Sequence, residues 1–66
     1  MNVIVNGTPQ ELPGGAAVDD AVRVVTTEPT GVAVAVNDEV VTRAAWRSTP
    51  LADGDRVEVL TAVQGG

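Results

Sequence analysis

Residues 1–7, MNVIVNG, decide the fold. Met1, Val3 and Val5 alternate with Asn2 and Ile4, the two-residue period of a strand that buries one face. Asn6-Gly7 follows. This pair is strongly favoured in a two-residue hairpin turn because both positions accept positive φ. The pattern predicts a returning strand over residues 8–12. Pro9 would then sit on a sheet edge, since proline cannot donate to a ladder.

Working outward from the hairpin, Pro13-Gly14-Gly15 breaks the alternation and the period changes. Val18, Ala21, Val22 and Val25 fall at i, i+3, i+4 and i+7, one face of a helix of two to three turns. Asp19 and Asp20 occupy its first turn, where the helix dipole favours negative charge. Its cap is weak, because Ala16 and Ala17 carry no side-chain acceptor. The β-branched Val24, Val25, Thr26 and Thr27 lower the propensity, and Glu28-Pro29-Thr30-Gly31 is expected to end the helix.

The second half reads as strands again. In VAVAV, residues 32–36, the valines share one face and only Ala33 and Ala35 occupy the other, so another surface could approach closely there. Asn37-Asp38-Glu39 predicts a turn, and residues 40–42 a short fourth strand. The following segment is irregular, with Trp46, the sole aromatic residue of the chain, expected to cap one end of the core. Asp53 and Asp55 around Gly54 are ordinary turn chemistry rather than a metal site. The last strand opens at Arg56 and is expected to run to residue 63. Val57 and Val59 point inward, and Glu58, Leu60 and Ala62 outward. Gln64, Gly65 and Gly66 then leave the sheet. This divides the chain into a domain over residues 1–63 and a flexible tail over 64–66.

Composition narrows the function. The 66 residues suffice for one small domain, with a thin core. There is no cysteine or histidine, which removes disulfides, the usual zinc ligands and the usual general base. Lysine is also absent. An enzyme reading is therefore poor. Net charge is −5, from nine acids against four arginines, which argues against nucleic acid as a partner. No apolar run is long enough to span a membrane and no signal peptide is evident, so the expected location is cytoplasmic.

The order strand, strand, helix, strand, short strand, strand predicts a two-layer α+β domain. The helix crosses one face of a mixed four- to five-stranded sheet, whose other face is open. The first and last strands are expected to lie side by side in the middle. This layout resembles the ubiquitin-like β-grasp fold. Within it, the chain resembles the ThiS family of small sulfur carrier proteins. The matching pieces are NVIVNG, VAVAVND, VVTRAAW, LADGDRVEV and the terminal VQGG, which span most of the chain in order. Similarity to the small subunit of molybdopterin synthase is weaker. That family often carries prolines just before the final Val-x-Gly-Gly, where this chain has Thr61 and Ala62.

Two terminal glycines arise by chance in about one chain in two hundred, so the tail acquires meaning only behind such a body. The resemblance implies that an adenylating enzyme related to ubiquitin activators (a ThiF-like partner) uses ATP and Mg²⁺ to activate the Gly66 carboxylate. Sulfur from a cysteine desulfurase-type donor would then yield a thiocarboxylate, which a thiazole synthase uses to build the thiazole of thiamine. The chain itself would be a cosubstrate, with no bound cofactor or metal. Val63, Gln64 and Gly65 would thread into the partner. Leu60, Ala62, Glu58, Ala33, Ala35 and Ile4 would form the face that binds it. The alternatives are a molybdopterin-type sulfur carrier, a ubiquitin-like modifier, and an interaction module with an idle tail.

Overall fold

The computed structural model describes residues 1–28 and 30–61 of the chain. Its elements are β1 (Asn2–Val5), β2 (Thr8–Glu11), α1 (Val18–Val25), β3 (Ala33–Val36), β4 (Glu39–Val41), a 3₁₀ turn over Arg43–Ala45, and β5 (Arg56–Leu60). The five strands form one mixed sheet in the order β2-β1-β5-β3-β4. β1 and β5 pair in parallel at the centre, and the other pairings are antiparallel.

The opening turn is as the sequence predicts. Asn6 and Gly7 have φ of 50° and 80°, the mirror-image geometry whose twist suits a hairpin. Pro9 lies on edge strand β2, opposite Ile4. The turn after β3 repeats the device with Asn37 and Asp38 at φ 49° and 71°. It uses two residues rather than three, so β4 starts at Glu39.

One face of the sheet builds the core. Val3, Val5, Val34, Val57 and Val59 are buried beneath Val18, Ala21 and Val22 of the helix. Leu12, Ala16, Trp46 and Leu51 complete it, and Val32 and Val36 pack at its margin. Val3, Val18, Val22 and Val57 are the largest fully buried side chains. Each contributes on the order of 1.5–3 kcal/mol by leaving water. Among the described residues no polar or charged side chain is buried.

Four further expectations change or sharpen. Val25, expected on the buried helix face, is 38% exposed, because it lies in the last turn, which the core no longer covers. The helix ends there and not at Glu28. The Thr26 N–H closes the last bond onto the Val22 carbonyl, and the Thr26 hydroxyl then accepts the Glu28 N–H at 3.0 Å, a local turn that competes with further helix. The helix start is better capped than two alanines suggest. The Asp20 carboxylate reaches back to the Ala17 N–H at 2.9 Å, and the Thr49 and Trp46 carbonyls accept from the N–H groups of Val18 and Asp19. Finally, Trp46, expected to cap one end of the core, is a full member of it, 4% exposed, with its indole N–H donating to the Val41 carbonyl at 3.0 Å.

Candidate functional site

The face opposite the helix is fixed by register. Strand β5 alternates exposed Arg56, Glu58 and Leu60 with buried Val57 and Val59. Across β3, Ala33 stands opposite Leu60 and Ala35 opposite Glu58. Across β4, Val40 stands opposite Ala35. Leu60 is 68% exposed and Val40 80% exposed. The two alanines therefore form a low floor between two large apolar side chains that no described residue covers. A contiguous apolar strip in water is a recurrent mark of a binding surface.

The structure thus brings together Leu60, Glu58, Ala33 and Ala35 of the expected face. Ile4 is on the same side but opposite Arg56, away from the strip, and only 37% exposed. Val40 was missed from sequence. The signal was present: in a hairpin closed at Asn37-Asp38, Val40 must share a face with Ala35. β5 ends at Leu60, with Thr61 already outside the strand that was expected to run to residue 63; Ala62, Val63, Gln64, Gly65 and Gly66 lie outside the described residues.

What the structure describes is how the strand leading to them is held. β5 is bonded on both sides. The Asn37 side-chain carbonyl accepts the Arg56 N–H at 3.0 Å, and its NH₂ donates to Asp55 at 3.0 Å. At the other end the Asn6 side chain exchanges two hydrogen bonds with the backbone of Val59. The turn carboxylates serve the same end. Asp53 accepts the Asn2 N–H at 2.7 Å and Asp55 the Ala52 N–H at 2.8 Å.

One helix laid across a five-stranded mixed sheet, with the first and last strands parallel at its centre, is the β-grasp architecture of ubiquitin-like proteins. The open apolar strip and the anchored last strand set the candidate site within it. A family model described as the ThiS family matches residues 3–66, and the chain belongs to that family. The chain is similar to a crystal structure of the thiamine biosynthesis protein ThiS from Geobacter metallireducens, with 33% identity over all of both chains and a TM-score of 0.80. It is likewise similar to a solution structure of a thiamine biosynthesis protein from that organism, with 35% identity over all of this chain and 88% of the other, and a TM-score of 0.77. Among curated protein sequences none gives a significant match.

Proposed function

We propose that this chain is a sulfur carrier of thiamine biosynthesis, working as a cosubstrate through the Gly66 carboxylate. The observation that carries the reading is the match to the ThiS family over residues 3–66, which runs through the terminal Gly-Gly. The likeness in fold to the thiamine biosynthesis proteins of Geobacter metallireducens supports it. The partners are enzymes of that pathway: a ThiF-like adenylating enzyme, a cysteine desulfurase-type sulfur donor and a thiazole synthase. The molecule divides into a folded body over residues 1–63 and a tail over 64–66.

The chemistry follows from a carboxylate being a poor electrophile. The Gly66 carboxylate attacks the α-phosphorus of Mg²⁺-bound ATP in the partner's site and releases pyrophosphate. The terminal sulfur of a persulfide then attacks the acyl carbon and expels AMP. A thiol cleaves the resulting S–S bond, leaving a thiocarboxylate on Gly66 and a disulfide on the donor side. None of these steps needs a nucleophilic side chain from the carrier. Glycine at 65 and 66 removes every Cβ from the approach to the reacting carbon. Gly66 lies six steps along the chain from Leu60, a reach of at most about 22 Å when extended. Contacts of the body on the strip of Leu60, Ala33, Ala35 and Val40 supply binding energy remote from the reacting atom.

The test is an intact mass after incubation with the activating enzyme, ATP and a persulfide donor, followed by alkylation of thiocarboxylate. The full chain is expected to gain one alkyl label at its C-terminus, and a chain lacking Gly66 none. Gly66→Ala is expected to fold normally and load poorly. An unlabelled full chain, beside a known carrier that loads in the same mixture, overturns the reading. Covalent attachment of Gly66 to other proteins would instead identify a modifier.

A further inference from the structure

We propose that the helix side of the molecule carries a binding pocket for a phosphate-class anion, formed by Arg23, Arg43 and Arg47 beside Trp46. The inference does not depend on the sulfur-carrier reading, and the pocket lies away from the open sheet face.

Three of the chain's four arginines line one cavity of about 340 Å³, between the end of α1 and the 3₁₀ turn. Trp46, Asp19 and Thr27 contribute to its wall. In a chain with more than two acids for every base, arginines placed for solubility alone would be expected to sit beside carboxylates. Two do. Arg23 donates to Asp19 and Asp20, each at 3.3 Å, and Arg56 to Asp38 at 3.3 Å. Arg43 and Arg47 do not: among the described residues no carboxylate pairs with either, and neither guanidinium donates a hydrogen bond to a protein acceptor. The backbone turn that bonds Trp46 N–H to the Arg43 carbonyl sets both arginines on the same short segment.

The chemistry of the occupant follows from these groups. A guanidinium presents five donors in a planar fork that matches phosphate oxygens two at a time. Arg23 already places one terminal nitrogen on Asp20 and the other on Asp19, which also lines the cavity, so Arg43 and Arg47 are the groups left to grip the anion. The overall charge of −5 repels anions at long range, so binding has to come from these short contacts. A concave pocket of this volume takes a phosphate or diphosphate group. An acidic peptide would need the arginines spread along a groove.

Inorganic pyrophosphate is the probe. Because Trp46 is the only aromatic residue, its fluorescence reports on the pocket without a label. At fixed ionic strength, pyrophosphate is expected to produce a saturable change in Trp46 emission and to shift the side-chain N–H resonances of Arg43 and Arg47. Sodium chloride in matched amounts should do neither. Arg43→Gln and Arg47→Gln, folded by circular dichroism, should each weaken binding by about tenfold or more, the equivalent of one lost charge-assisted hydrogen bond. Arg56→Gln, outside the pocket, should leave it unchanged. Silence of both the fluorescence and the resonances overturns the proposal, even where Arg43 and Arg47 prove to contact a partner protein. Equal loss in Arg56→Gln also overturns it, by reducing the effect to net charge.

Discussion

The side-chain amide of Asn6 is paired with the backbone of Val59, donating to its carbonyl at 3.1 Å and accepting from its N–H at 2.8 Å. The parallel ladder between β1 and β5 ends here, because the hairpin turns the β1 backbone away. The amide group stands in for the two peptide groups that would have come next. A residue chosen for its positive φ thus also lengthens the central pairing of the sheet.

Asn6→Ala is therefore expected to cost about 2–4 kcal/mol, from two part-buried hydrogen bonds and a left-handed backbone position that alanine resists. Asn6→Gly should recover only the backbone part. Urea denaturation measures both, and faster hydrogen exchange at the Val59 amide would locate the loss. Equal stability of Asn6→Gly and the parent would remove the bonds to Val59 from the account.

Gly7→Ala tests the turn alone. An added Cβ would meet nothing within 4 Å, so only the φ of 80° resists it. The expected loss is about 1–2 kcal/mol, read as a lower denaturation midpoint with an unchanged slope.

Val57→Ala tests the core. Val57 is fully buried on the central strand, and the loss is expected to be about 2 kcal/mol. In a domain this small that corresponds to a melting temperature lower by roughly 8–16 °C.

Leu60→Asp tests the open face. The side chain is 68% exposed, so stability should change by less than about 0.5 kcal/mol. Affinity for the proposed activating enzyme should fall. Unchanged affinity would remove Leu60 from that interface.

Much of the architecture was legible because it rests on local rules. Asn6-Gly7 fixed the first hairpin, and the alternation in VAVAV and RVEVL assigned the buried faces of β3 and β5. Val18, Ala21 and Val22 gave the helix its inner side. What was not legible is what arrives from elsewhere in the chain. The carbonyls that cap α1 come from Trp46 and Thr49, far along the chain from Asp19 and Val18, and no local pattern announces them. Trp46 was expected to cap one end of the core, but that its segment also folds against the helix start, its carbonyl accepting from Asp19, was not legible from its irregular surroundings. Within the candidate site, the alternation located Leu60, Glu58, Ala33 and Ala35, whereas Val40 required the turn length to be counted correctly. Ile4 was assigned by face alone, without knowing that Arg56 would be its neighbour.

The parallel placement of β1 against β5 also has a mechanical consequence. A pull applied to the chain beyond Leu60 and resisted at Met1 runs along both strands, across the direction of the hydrogen bonds between them. The bonds of Ile4 and Asn6 with the β5 backbone, and those of Asn6 with Val59, then share the load together instead of opening one by one. β5 is clamped on its other side by β3 as well. A body built this way resists a pull on its end, because the bonds between its two central strands must shear together.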